Sequence, residues 1–294
     1  MANLKEIKNR ISTVESTQQT TSAMKLIAAS KLRKAQTVLQ HLRPFVKKLH
    51  GIVLQTVEDG DTISRSPYLE VRKPEKVLLM VMTSNSGLCG AFNTAVLKAA
   101  VLHIQTYYLT NPDIKEISIM CFGKKAVEFF SKQPYNVVAN HIDIMNNLNR
   151  QEIAVIGEGM LQAYRDHTYD LIELVSNVFV NAAVYETVAR QVLPYNIAET
   201  VADEQFNDYY IYQPTKDEVI NAIIPMSLKA RLYIRFADSI AAEYAARMTA
   251  MHKATENAVQ LQKELNLRYN KARQAAITNE IIEIVNSANA LQSL

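Results

Sequence analysis

From Leu4 onward, apolar residues recur at alternating steps of three and four. The stripe runs through Leu4, Ile7, Ile11, Val14, Gln18, Thr21, Lys25, Ala28, Leu32, Ala35, Leu39, Leu42, Val46, Leu49 and Val53, and its only polar members are the consecutive Gln18, Thr21 and Lys25. Such steps return a residue to one side of an α-helix, and a run this long is the seam of a coiled coil, here with a polar interruption. The C-terminal part repeats the pattern through Met226, Ala230, Tyr233, Ala237, Ile240, Tyr244, Arg247, Met251, Ala254, Ala258, Leu261 and Leu265, with Arg247 as its exception. After a phase shift a second register follows: Ile277, Ile281, Ile284, Ala288 and Leu291.

Neither Gly nor Pro occurs before Pro44 or after Pro225. In a helix interior glycine costs about 1 kcal/mol and proline about 3, so both stretches are free to be long helices. At about 1.5 Å per residue the first would reach roughly 75 Å and the last roughly 100 Å. Helices that long project beyond the globular body of a chain this size, and with a folded domain between them an antiparallel pairing is the simplest. Pro44 is expected to bend the first helix or to mark its last turns. A helix-bundle core leaves similar stripes, but it needs about four helices of similar length, and the middle of the chain reads otherwise. The last helix is also rich in small residues (Ala230, Ala237, Ala241, Ala242, Ala245, Ala246, Ala250, Ala254, Ala258), which predicts a slim, smooth surface with little bulk to lock it to a neighbour.

Between the helices the pattern changes. Lys76 to Ser84 is a continuous apolar run, the signature of a strand buried on both faces. A helix is predicted from about Ala91 to Leu109, a strand over Lys115 to Phe122, and helices over Lys124 to Lys132 and Asn149 to Asp166. Asp170 to Ala182 and Val188 to Leu193 read as strands, possible partners in a hairpin, and Asp208 to Pro214 as a last short strand. Strands alternating with helices imply a parallel or mostly parallel sheet with helices packed on it. The expected fold is therefore α/β plus a long antiparallel coiled coil: an N-terminal coiled-coil helix at 1–57, a Rossmann-like α/β domain at 68–214, and a C-terminal coiled-coil helix at 219–294.

Composition refines this picture. Apolar residues are 48% of the 294, an ordinary globular share that excludes disorder of the whole chain. The formal charge of +3 conceals a division: residues 1–50 carry a net +8, residues 226–294 a net +3, and the residues between them a net −8. Two basic arms flank an acidic middle. No window approaches the roughly 18 to 20 apolar residues that span a bilayer, and the opening Met-Ala-Asn-Leu-Lys-Glu-Ile-Lys has no apolar signal core. Cys89 and Cys121 form neither a disulfide framework nor a zinc set, so a reducing compartment is the default.

The sharpest hint of enzyme chemistry is Gly87-Leu-Cys-Gly-Ala-Phe-Asn93, at a strand-to-helix turn where many α/β proteins bind phosphate. The loop lacks both the three-glycine dinucleotide fingerprint and the Gly-Lys-Ser/Thr of a nucleotide P-loop, so a tight structural turn explains it better. Cys89 has no histidine nearby in sequence, and the six histidines (His41, His50, His103, His141, His167, His252) show no metal-ligand spacing. Lys31, Arg33 and Lys34 raise nucleic acid as a partner, but the cluster is short and has no interleaved aromatics. An acidic protein partner fits it equally well.

Several motifs then converge. Ala23-Met-Lys-Leu-Ile-Ala-Ala-Ser-Lys-Leu-Arg-Lys-Ala35, Gly87 to Asn93, Ala245-Ala-Arg-Met-Thr-Ala-Met251, Ala254-Thr-Glu-Asn-Ala258 and Tyr269-Asn-Lys-Ala-Arg-Gln-Ala-Ala-Ile-Thr-Asn-Glu-Ile281 together resemble the gamma subunit family of the bacterial rotary ATP synthase, in order and spacing from Leu4 to Leu291. The resemblance implies a central-stalk rotor whose paired terminal helices stand inside a ring of three alpha and three beta subunits. Its middle domain would be a foot on the epsilon subunit and the membrane c-ring. Such a subunit couples ion flow through the c-ring to conformational changes at the beta-subunit catalytic sites, for ATP synthesis or hydrolysis. It carries no catalytic site, cofactor or metal of its own, binds no nucleic acid and does not span the membrane. Its expected location is the cytoplasmic face of the bacterial inner membrane, as a peripheral part of the complex.

By resemblance, Lys25, Lys31, Arg33 and Lys34 face the acidic lever segment of the beta subunits, while Arg273, Gln274, Thr278 and Glu280 contact loops of the ring. The chain departs from the family pattern at Asn85 and Ser86, where Asp and then Arg or Lys are usual. It departs again at Ala242 and Tyr244, and at His252, which replaces a frequent Lys. The plant-type insertion with its regulatory cysteine pair is absent. The competing readings are a stand-alone coiled-coil scaffold and, behind it, a small-molecule enzyme using the Gly87 to Gly90 loop.

Overall fold

The structure, a computed structural model, describes residues 2–58, 66–146, 148–196 and 210–292. Its elements in chain order are α1 (Ala2–Glu58), β1 (Lys76–Met82), α2 (Phe92–His103) continuing into a π-helical turn (Ile104–Tyr108), β2 (Glu116–Phe122), α3 (Lys124–Phe130), β3 (Asn136–His141), α4 (Arg150–Arg165), β4 (Leu171–Phe179), β5 (Tyr185–Leu193) and α5 (Lys216–Gln292). Two compact units are distinguished: residues 29–247, and the residues up to Ala28 together with those from Met248 onward.

In the unit of residues 29–247, five strands form one sheet in the order β3-β2-β1-β4-β5. β1 runs parallel to both β2 and β4, β2 parallel to β3, and β4 antiparallel to β5. The sheet is thus mixed, with a parallel, Rossmann-like centre and a hairpin at one edge. β1 is buried on both faces, as its unbroken apolar run predicts. Val77, Leu79 and Val81 join Val96, Ala100, Ala126 and Phe130 in the cluster under α2 and α3. The alternate residues Leu78, Met80 and Met82 are equally buried and point the other way. On that second face lie α4, with Ile153, Met160 and Leu161 buried, and α5, whose Phe236 meets Phe122 edge-on at 4.9 Å.

The α2 region differs from expectation at its end. Leu109 N–H donates to Ile104 O, five residues back, and the chain widens into a π turn. The widened turn sets the rings of His103 and Tyr108 5.1 Å apart, and both side chains donate to or share a proton with the carboxylate of Glu173 on β4. A carboxylate projecting from a buried strand needs such partners, and the π turn supplies two from one helix. Burial beside Glu173 pushes the Tyr108 hydroxyl far above the ordinary tyrosine value.

β3 escapes sequence detection because it is an edge strand with alternating exposed and half-buried residues. The expected strand at 208–214 is not found over Tyr210–Pro214, and residues 208 and 209 lie outside the described residues. α1 runs through Pro44 to Glu58, and α5 begins at Lys216 and runs through Pro225.

The alanine-rich stretch of α5 needs a different reason from the one the sequence suggests. From Phe236 to Glu243 every residue is buried, including Asp238, Ser239 and Glu243. Here α5 has the sheet and the β1–α2 connection on one side, where Phe236 meets Phe122 and Ala242 packs with Cys89 and Phe92, and α1 on the other, where Arg43 reaches Asp238. Small side chains let three layers approach closely. They are packing residues here and not an outward bearing surface.

Candidate coupling surfaces of the terminal helices

Every position of the α1 stripe from Leu4 to Val53 is buried or half-buried, including the three polar ones. In the unit containing residues up to Ala28 and from Met248 onward, the polar interruption is answered across the seam. Thr21 and Thr255 share a hydrogen bond at 2.8 Å, and Lys25 Nζ lies 3.4 Å from Nδ1 of His252. As the α1 number rises the α5 number falls, so the pairing is antiparallel. The same direction holds within residues 29–247, where Lys31 lies 5.2 Å above the ring of Tyr244 and Arg43 Nη2 donates to Asp238 Oδ1 at 2.8 Å.

The four basic residues expected to face an acidic lever are therefore not equivalent. Arg33 and Lys34 are exposed and stand two and three residues after Lys31 on the same stretch of α1. Lys31 is exposed but covers Tyr244 and also lies near the buried carboxylate of Glu243. Lys25 is half-buried beside His252. Arg273, Gln274, Thr278 and Glu280 are all exposed, and the Thr278 hydroxyl donates to Gln274 O at 2.9 Å. Around them Ile277, Ile281, Ile282, Ile284 and Val285 are 46–67% exposed, so the apolar register has no cover from described residues of this chain. Its last members, Ala288 and Leu291, lie outside the residues whose side chains are described.

The start of the Gly87 to Asn93 loop faces a cation of the chain itself. Arg247 of α5 is buried and pairs with Glu243 one turn earlier. Its Nη2 donates to Ser86 Oγ at 2.8 Å, Ser86 O at 3.1 Å and Gly87 O at 3.1 Å. The loop thus turns carbonyl oxygens toward an internal cation, whereas a phosphate cradle needs amide hydrogens turned toward an anion. The N-terminus of α3 is occupied as well. Lys124 N–H donates to Asn85 Oδ1, Lys125 N–H to Ser84 O and Ala126 N–H to Thr83 Oγ1. Three successive residues at the end of β1 therefore cap a helix whose own N-cap, Gly123, has no side chain to offer. Asn85 also donates to Ile142 O and to Asn146 Oδ1, each at 2.8 Å. The departures Asn85 and Ser86 thus have partners of their own.

Cys89 and Cys121 are buried, and burial pushes the Cys121 thiol up to about 12, which leaves it inert as a nucleophile. Burial also raises the carboxyls of Asp238 and Glu243 above their ordinary values, against the pull of Arg43, Arg235 and Arg190 on the first and of Arg247 and Lys31 on the second. Among the described residues no group of His, Cys, Asp and Glu is placed to hold a metal.

Sequence reasoning missed the ion pairs of both buried carboxylates and the contact of His252 with Lys25. Asp238 and Glu243 were legible in part as lone acids inside an alanine-rich apolar run. Arg247 stood out as the polar exception in its stripe.

The chain matches the family described as ATP synthase over residues 3–291. It is 43% identical over 291 residues to the ATP synthase gamma chain of Christiangramia forsetii, covering 99% of each protein. The chain belongs to the ATP synthase gamma-chain family. The gamma chain of Flavobacterium johnsoniae is also 43% identical, over 293 residues, again covering 99% of each. Among solved structures, a chain of the Tetrahymena thermophila mitochondrial ATP synthase central stalk and c-ring matches with a TM-score of 0.60 at 25% identity, over 80% of this chain and 98% of that one. A chain of the Euglena gracilis mitochondrial ATP synthase shares the fold with a TM-score of 0.69 at 21% identity, over 99% and 95%. As a gamma chain, the protein is a central-stalk rotor subunit of ATP synthase, peripheral to the membrane. No helix among the described residues is long and apolar enough to cross a membrane.

Proposed function

We propose that this gamma chain transmits rotation between a membrane c-ring and three catalytic beta subunits without a catalytic site of its own. In this reading residues 1–57 and 219–294 form the shaft and residues 68–214 the foot on epsilon and the c-ring, and the complex lies at the cytoplasmic face of the bacterial inner membrane. Two separate observations carry it: Lys31, Arg33 and Lys34 form an exposed basic stretch on α1, and Ile277 to Val285 include an exposed apolar stretch on α5. Neither is covered by described residues of the chain, and their chemistries suit different parts of an alpha/beta ring.

Lys25, Lys31, Arg33 and Lys34 attract an acidic lever of the beta subunit over about a Debye length of 8 to 10 Å. Arg273, Gln274, Thr278 and Glu280 hydrogen-bond loops of the ring in one rotary state, and each charge-assisted contact contributes about 1.5–3 kcal/mol. One asymmetric shaft faces three identical beta subunits, so its contacts differ among them, and differential contact drives a conformational equilibrium. Replacing all four basic residues with Gln is expected to lower torque or coupling in the reconstituted complex while gamma still assembles. Unchanged proton-driven synthesis would remove the lever role. The scaffold alternative predicts a soluble homo-oligomer of this chain alone, and stoichiometric recovery with alpha and beta subunits decides against it.

A further inference from the structure

Two consecutive tyrosines end the α2 region, and the fold treats them oppositely. Tyr108 is 2% exposed and belongs to the cluster under α2 and α3, whereas Tyr107 is 63% exposed. Both rings touch His103, Tyr107 tilted at 4.8 Å between centroids and Tyr108 edge-on at 5.1 Å. Tyr108 donates to the Glu173 carboxylate, which His103 Nε2 also meets at 2.7 Å. The arrangement depends on the π turn, a feature that is rare and is found mostly at functional sites. In an α-helix the neighbours of His103 on its own face lie three and four positions on, at Thr106 and Tyr107. Tyr108, five positions on, reaches the carboxylate because Leu109 N–H bonds to Ile104 O and widens the turn. Were the turn α-helical, Ile104 O would accept from Tyr108 N–H, and Tyr107 would take the place beside His103 that faces β4. An identical side chain would then fill the same volume and offer the same hydroxyl to Glu173.

The surroundings allow the exchange. Glu173 is held on both sides, opposite Leu79 of β1 and Gln191 of β5, so its carboxylate is a fixed mark. Ile104 is fully buried and anchors the helix before the turn. Beyond it, residues 109–115 form neither helix nor strand, and the chain is next tied where Lys115 N–H donates to Glu75 O at 2.8 Å. Taking one residue out of the turn moves the following backbone by about 1.5 Å, which this irregular connection absorbs.

We propose that residues 104–109 are a two-register element: a π register buries Tyr108 and exposes Tyr107, and an α register buries Tyr107 and exposes Tyr108. Either register gives Glu173 a tyrosine hydroxyl, so neither leaves a largely buried carboxylate short of a partner. The surface at this end of α2 differs between them, because in the π register it carries Tyr107 together with Leu102 and Leu109, all 63–66% exposed. The slip therefore gives one apolar patch two forms, and anything that binds one form better than the other shifts the register.

The test nitrates tyrosines with tetranitromethane in gamma assembled with alpha and beta subunits and reads initial rates at Tyr107, Tyr108 and Tyr164 by fragment mass spectrometry. In the π register Tyr108 offers the reagent neither surface nor phenolate, since burial beside Glu173 holds its hydroxyl well above the ordinary value. Its label therefore reports the α register, and the fully buried Tyr164 reports general opening of the same chain. In wild type Tyr108 is expected to label at roughly 0.1–10% of the Tyr107 rate, the share of a minor state. Tyr107→Phe removes the hydroxyl that the α register needs and, at an exposed position, leaves the fold intact. The Tyr108 rate should then fall about tenfold or more, the factor that one charge-assisted hydrogen bond carries, while the Tyr164 rate stays the same. Tyr107→Ser, which also removes the ring, should lower the Tyr108 rate at least as far. No label on Tyr108 in wild type overturns the proposal, because the second register is then empty. An unchanged or faster Tyr108 rate in either variant, or a fall that Tyr164 shares, overturns it as well, since Tyr108 is then reached by opening and not by a slip.

Discussion

The guanidinium of Arg43 meets the buried carboxylate of Asp238 at 2.8 Å and so ties α1 to α5. The two ends of the pair differ: the Arg43 side chain is 53% exposed, whereas that of Asp238 is 4% exposed. Removing the arginine strands a charge in the interior, and removing the carboxylate charge lets the arginine turn to water. Arg43→Ala is therefore expected to lower the thermal unfolding temperature of the protein more than Asp238→Asn does, although Arg190 and Arg235 remain near Asp238 and moderate the loss. Equal losses would show that the pair acts only through its hydrogen bond.

Arg247 and Glu243 are both buried, so any asymmetry there comes from the further partners each side chain keeps and not from exposure. Arg247→Ala leaves Glu243 without its main counter-charge and opens the carbonyls of Ser86 and Gly87. The expected cost is about 3–5 kcal/mol, the range for breaking a buried pair from one side. Glu243→Gln should cost much less, because the guanidinium keeps its three loop acceptors. Denaturant unfolding of the two variants checks the order.

Glu243 also sets a pH dependence opposite in sign to the usual carboxylate. Burial raises its folded-state value above the ordinary 4.5. Between 4.5 and that higher value the folded chain holds the proton and the unfolded chain does not, so its contribution makes stability fall as pH rises through the window. Above the window the remaining loss is constant. Glu243→Gln should remove this component, which a comparison of unfolding free energies of the two proteins across the acid range reads directly.

At Gly123 the backbone has φ +90°, and an added Cβ would stand 2.1 Å from Thr83 O. Neither a torsion nor a flexible side chain can relieve that contact, since the obstacle is backbone. Gly123→Ala is expected to cost at least about 2 kcal/mol. Thr83→Val keeps the shape but removes the acceptor for Ala126 N–H, with an expected loss of about 1–2 kcal/mol. Thermal unfolding of both separates the steric effect from the cap.

What could be read from the sequence follows from which interactions repeat. The seam of α1 and the two-faced burial of β1 are periodic, and period 3.6 and continuous apolarity are visible without a partner. β3 was invisible because this edge strand alternates exposed with half-buried residues and has no fully buried position to mark it. The crowding of α5 between Phe236 and Glu243 was misread because alanine marks both a smooth exterior and a close interior approach. The π turn depends on Glu173, 65 residues from Tyr108, and no local pattern reports it. Of the candidate site residues, the exposed Arg33, Lys34, Arg273 and Gln274 stood where a solvated helix face would put them. The engagement of Lys25 by His252 needed the register between helices, which a one-residue slip would change.

The exposed apolar register of α5 gives a final test. Ile277, Ile281 and Ile284 are 46%, 55% and 67% exposed, so each forgoes roughly half of the 1.5–3 kcal/mol that full burial provides. Under the proposed function this helix face meets the alpha/beta ring, and its benefit lies in the assembly. Replacing the three with Ser should leave the unfolding temperature of gamma nearly unchanged, because no described packing within the chain is lost. It should at the same time lower recovery of gamma in a complex with alpha and beta subunits, or raise its dissociation rate from that complex. The opposite result, a less stable gamma with undiminished recovery, would mean that this face is covered by the chain itself and not by the ring.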